Sequence, residues 1–271
     1  DMYQKYVAVG WLEGGWLLNV LNDYQVAGQP MSEKCLQSVA RGLVSAMKYL
    51  HGRGIIYRGL NLSRVLTKRV SEDEMMVKLW DFGPAILKDG AMLTSSVGSG
   101  YGGYAFPSTA PSAWMYYPEG GEDGYYCMAP ELLRNLVYID HKQKYDEKVD
   151  AWSVGMVLYL LVEGKSCFSV GDARSVLESI ERWENGVINS NRAVNTLSFR
   201  NDLVSQGTKD VITGLLKVLP NDRVSWTDEL LLRWSGLKEI TNPPNEYFMV
   251  ENMVPGYGGG MIGSVSGGVG G

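Results

Sequence analysis

Ile55-Ile56-Tyr57-Arg58-Gly59-Leu60-Asn61-Leu62-Ser63-Arg64, followed further on by Val77-Lys78-Leu79-Trp80-Asp81-Phe82-Gly83, anchors the whole 271-residue chain. Two short apolar runs bracket a polar loop. Ile55 to Arg58 has the β-branched and aromatic composition of a strand. Val65-Leu66-Thr67 and Val77-Lys78-Leu79 read as a β-pair with Ser71-Glu72-Asp73-Glu74 as its polar turn, and Asp81-Phe82-Gly83 leads the chain out.

Tyr57 to Arg64 resembles the H-R-D-L-x-x-x-N catalytic loop of eukaryotic protein kinases, and Asp81-Phe82-Gly83 matches their D-F-G at about the family's distance. Ala129-Pro130-Glu131 matches A-P-E, so residues 81–131 correspond to the activation segment. Asp150, Trp152, Ser153 and Gly155 fill the D-x-W-S-x-G that opens the family's central buried helix, where the Asp bonds the backbone of the catalytic loop. Arg223 stands at the family's buried arginine, whose partner is the A-P-E glutamate, here Glu131. The motifs occur in family order between roughly Tyr6 and Leu237. The resemblance implies an α+β fold, mostly α-helical: a protein-kinase-like large lobe with small β-hairpins at the cleft and an N-terminal lobe essentially absent. Its expected divisions are a last small-lobe strand and hinge at 1–15, the large lobe at 16–240 and a Pro/Gly-rich tail at 241–271.

Against that pattern the reactive positions depart. Where the family has the Asp that accepts the substrate hydroxyl's proton and the Asn that holds a metal, this chain has Gly59 and Arg64. Glycine cannot take a proton, and losing a positioned base typically costs about 10²–10⁴ in rate. A guanidinium stays cationic and repels a metal. No other Asp lies between Ile55 and Arg69, so shifting the register restores no base. Tyr57 replaces the family's His and is expected to keep its packing role. Degenerate positions Tyr57, Arg58, Gly59 and Arg64 therefore leave no catalytic set, and Asp81 remains as a residual cofactor-binding residue. Structural roles fall to Asp150, Trp152, Glu131 and Arg223.

Composition bounds the rest. A hydrophobic content of 45% and a charged content of 20% are ordinary for a globular domain. A net charge of −5 argues against a nucleic-acid or anionic-membrane surface built on overall charge. The run Ala151 to Val162 is far short of the roughly 20 apolar residues that span a bilayer. Cys35, Cys127 and Cys167, odd in number and widely spaced, signal neither a disulfide framework nor a metal cluster, so a reducing, cytoplasmic interior is expected.

Along the chain, Tyr6-Val7-Ala8-Val9 reads as the strand before a hinge at Gly10 to Gly15, and Trp16 to Tyr24 as a helix. No phosphate loop or strand lysine precedes them, and Trp16 adds bulk near the hinge. Ser32 caps a helix whose apolar face is Leu36, Val39, Leu43, Met47 and Leu50, ending at Gly52 or Gly54. His51, in its last turn, reads as a cap or dipole contact rather than a catalytic or metal residue. Further helices are expected through Glu163 and over Ala173–Trp183, Asp202–Leu219 and Thr227–Trp234, with a turn at Pro220 to Arg223.

The activation segment is rich in aromatics, and Trp114, Tyr116 and Tyr117, with Tyr257 of the tail, are candidate partner contacts. Thr94, Ser95 and Ser96 are phosphorylation candidates that Arg58 would capture. The expectation is a catalytically inactive kinase-like (pseudokinase) domain that serves as a protein-binding scaffold or subunit of a larger assembly. It would hold no ATP or Mg, contact no nucleic acid and enter no membrane. The first alternative is a nucleotide-sensing pseudokinase whose small lobe lies outside this chain, and the second, ranked below it, is an active Ser/Thr protein kinase using a displaced base.

Overall fold

Ser32 starts the longest helix, α2 (Glu33–Gly52), by accepting the Cys35 amide at 3.2 Å on its hydroxyl. The expected face, Leu36, Val39, Leu43, Met47 and Leu50, is buried along its whole length. The helix ends at Gly52, and Gly54 turns the chain at a left-handed φ of 72°. The structure is a computed structural model that describes residues 12–82, 84–88, 125–138, 143–184, 197–201 and 204–236. Of these residues 54% are helical and 9% lie in strands, so the expected mostly helical α+β class is what the chain forms.

Before α2 lies α1 (Leu17–Val26), which buries Leu17 and Leu21. Gly14 and Gly15, just ahead of it, run against a strand that follows α2: the Gly14 amide donates to the Thr67 carbonyl at 2.9 Å and the Thr67 amide to the Gly15 carbonyl at 2.8 Å. The approach demands glycine. A Cβ on Gly14 would stand 2.5 Å from the Thr67 carbonyl oxygen.

After the turn at Gly54 the strand is shorter than its composition predicts. β1 is only Ile55–Ile56, because the next two amides, of Tyr57 and Arg58, leave the ladder for the carboxylate of Asp150. β2 (Val65–Arg69) and β3 (Met75–Leu79) form the expected hairpin, antiparallel with Val65 opposite Leu79. β4 (Ile86–Leu87) pairs antiparallel with β1. These two small sheets edge the site.

The rest is helical. Pro130, with φ preset for a first turn, opens α3 (Pro130–Val137). The axis of the molecule is α4 (Lys148–Glu163), buried from Val149 through Leu161 and stopped at Gly164, which adopts φ 71°. A helix apolar on every side belongs inside. α5 (Ala173–Glu184) lies against α3. α6 (Gln206–Leu215) is shorter than the expected Asp202–Leu219: Ser205 caps its start, and the carbonyls of Lys217 and Val218 turn away to the guanidinium of Arg223. α7 (Glu229–Ser235) starts two residues later than expected because Asp228 caps it. The strand at Tyr6–Val9, Gly10 and Trp11, the phosphorylation candidates Thr94 to Ser96, the aromatics Trp114, Tyr116 and Tyr117, and the tail with Tyr257 lie outside the described residues.

Candidate functional site

Asp150, in the first turn of α4, is the hub. Its fully buried carboxylate accepts the Tyr57 amide at 2.9 Å, the Arg58 amide at 2.7 Å and, on Oδ2, the imidazole Nε2 of His51 at 2.7 Å. Trp226 donates its indole N–H to His51 Nδ1 at 2.9 Å. An indole nitrogen only donates, so the imidazole proton sits on Nε2 and faces Asp150. His51 is thus neither the free cap nor the dipole partner its position implies. It braces the loop's anchor, sharing Oδ2 of Asp150 with the Tyr57 amide.

Held this way, the loop leaves Arg58 at a φ of 60°, a strained value for a residue with a side chain. Arg58 is buried and donates to the Pro84 carbonyl and to the Tyr145 hydroxyl, each at 2.7 Å. Tyr57 is fully buried, donates its hydroxyl to the Trp80 carbonyl and meets Phe82 edge-on at 5.3 Å between ring centres. The aromatic pair ties the loop to the segment that carries Asp81.

Arg64 closes the remaining space. Its Nη1 donates to the Gly59 carbonyl at 3.0 Å and its Nη2 lies 3.0 Å from Asp81 Oδ2. The arginine is buried, whereas the Asp81 side chain is about a third exposed, and Asp81 holds a φ of 56°. Beside them Trp16 and Trp80 pack at 5.1 Å with their rings tilted by 49°.

The phosphate-bearing metal that the fold family implies does not fit this donor set. The carboxylate that would bind it is already in contact with a cation. At an effective dielectric near 20, unit charges about 4 Å apart interact by roughly 4 kcal/mol, so a divalent ion beside a fixed guanidinium meets about twice that in repulsion. Gly59 offers no proton acceptor of its own. Among the described residues no group of three or more His, Cys, Asp and Glu side chains is placed to hold a metal, and no helix is long and apolar enough to cross a membrane.

Further out, Glu131 and Arg223 meet fork to fork at 2.6 and 2.8 Å. The three other guanidinium N–H groups go to the carbonyls of Lys217 at 2.7 Å, Lys148 at 2.9 Å and Val218 at 3.0 Å. Trp152 lies over this guanidinium at 5.3 Å and stacks on Phe168. Arg223 therefore ties the start of α3, the start of α4 and the end of α6 into one body.

A family model for the protein kinase domain matches residues 115–235, a span that begins after the Gly59–Asp81 loop. Among curated relatives, calcium-dependent protein kinase 21 of Oryza sativa is 29% identical over 86% of this chain and 33% of its own length. Serine/threonine-protein kinase 33 of Bos taurus is 26% identical over 75% of the chain and 35% of its own length. Serine/threonine-protein kinase RAD53 of Saccharomyces cerevisiae is 24% identical over 86% of the chain and 24% of its own length. The chain thus spans about a third or less of these relatives. The family-model match over the helical body, these relatives and the order of the motifs support a likeness to the eukaryotic protein kinase superfamily.

Proposed function

We propose that this chain is a catalytically silent protein-kinase-like domain that works by binding other proteins, as a scaffold or a subunit of a larger assembly. The observation that carries the reading is the guanidinium of Arg64 on Asp81, beside a loop position whose residue is Gly59. The body around them, tied by Asp150 and by the Glu131–Arg223 pair, keeps the features needed to fold while the loop lacks those needed to transfer phosphate. Partners are other proteins, with neither nucleic acid nor a membrane engaged.

Phosphotransfer from ATP tests this directly. The full chain is incubated with labelled ATP, magnesium and a generic protein substrate beside an Asp81→Ala control. Incorporation equal in the two is expected; incorporation that vanishes in the control overturns the reading. Retention of Asp81 favours a second reading, a nucleotide sensor. That one requires a rise in melting temperature with millimolar ATP.

A further inference from the structure

Gly59 and Arg64 are five residues apart and touch. A Cβ on Gly59 would lie 2.3 Å from Arg64 Nη1, with the ring of Pro84 at 2.7 Å on Cγ and 3.0 Å on Cβ. Contacts under 3 Å do not occur for real Cβ atoms, so any side chain at position 59 must move something. The tip of an exposed arginine would swing aside at little cost. Arg64 is buried, and its tip is held by both the Gly59 carbonyl and Asp81. Evicting it breaks both contacts of a buried cation.

We propose that Gly59 and Arg64 are one interlocked replacement, in which the guanidinium fills the volume a side chain at 59 would need and supplies the positive charge that holds the loop carbonyl to Asp81. The inference concerns the site of the reading above and deepens it: the loop is built around an internal cation, and neither position reverts alone. Glycine at 59 serves space rather than backbone freedom, since its φ lies outside the left-handed region in which Arg58 and Asp81 are found. Arg64 is a positioning residue here. It holds Asp81, and through the same segment Phe82 stays against Tyr57.

A double-mutant cycle on the full chain tests the interlock. Gly59→Ala is expected to lower the melting temperature by about 4 °C or more in the wild-type background and by less than half as much in an Arg64→Asn background. Equal losses in the two backgrounds overturn the proposal. Failure of Gly59→Ala to fold only when Arg64 is present supports it. Failure in both assigns the obstruction to Pro84 and overturns it. Magnesium at constant ionic strength gives a second readout: no change in wild-type melting temperature is expected, and a rise overturns the internal-cation role. The labelled-ATP assay separates this from the functional reading. Phosphotransfer by the wild type with strong coupling sinks the silent-domain reading alone, whereas additive losses with no phosphotransfer sink the interlock alone.

Discussion

His51 and Asp150, 99 residues apart in sequence, meet at 2.7 Å with both side chains buried. That contact, with the two loop amides on the same carboxylate, makes the turn after β1 a property of the core rather than of the loop.

His51→Ala strips one donor from the Asp150 carboxylate and orphans the Trp226 N–H. Leaving buried polar groups unmatched costs about 1–3 kcal/mol each, so a loss of roughly 2–4 kcal/mol is expected in urea unfolding. Trp226→Phe removes only the outer bond and is expected to cost about 1 kcal/mol. Equal costs for the two variants would show that the His51–Asp150 contact adds nothing beyond the outer bond.

Arg223→Lys keeps the charge and loses the fork. With all five guanidinium donors engaged and only three on an ammonium, at least two buried acceptors lose their donor, and the expected loss is about 2–4 kcal/mol. A double variant Arg223→Met with Glu131→Leu removes both charges. It is not expected to recover fully, because the carbonyls of Lys148, Lys217 and Val218 lose their donor too. Full recovery of the urea midpoint would count against this account.

Gly155 lies where α4 crosses α6, and a Cβ there would stand 2.8 Å from Leu215 Cβ. An atom so close to the backbone has no rotamer by which to retreat. Gly155→Ala is expected to destabilise by about 1–3 kcal/mol through overpacking, read as a lower melting temperature. An unchanged melting temperature would mean that the two helices separate without strain.

Glu33, in the first turn of α2, carries a pH dependence. Burial pushes its carboxyl up, but the Ser205 and Thr208 hydroxyls and the Trp234 indole bonding it outweigh that and hold it below the ordinary 4.5. A depressed folded-state pKa contributes stability that is full above the unfolded value and is lost as pH falls through the folded one. Between about pH 6 and pH 3 the wild type is therefore expected to lose more stability than Glu33→Gln, measured as urea midpoints at each pH. Parallel losses would remove Glu33 from the account.

Local signals carried much of the architecture. The face of α2, its Ser32 cap, the all-apolar α4 and the left-handed glycine after it depend on spacing along one helix, which the sequence displays directly. The ends of β1 and α6 were not legible from their own residues. β1 stops because Asp150 takes the next two amides, and α6 stops because Arg223 takes the carbonyls that follow it. His51 carried no signal of its role, since neither Asp150 nor Trp226 stands at helical spacing from it.

By itself the sequence determined which residues stand at the reactive positions, Gly59 and Arg64, and which faces of the helices are apolar. Only the tertiary structure decided what Arg64 does there. A cationic side chain at that position predicts repulsion of a metal, whereas the folded chain turns the same charge onto Asp81 and the Gly59 carbonyl. The physical reason is that composition and period act between neighbours on one element, while the partner of a buried charge is set by elements that meet only when the whole body has closed.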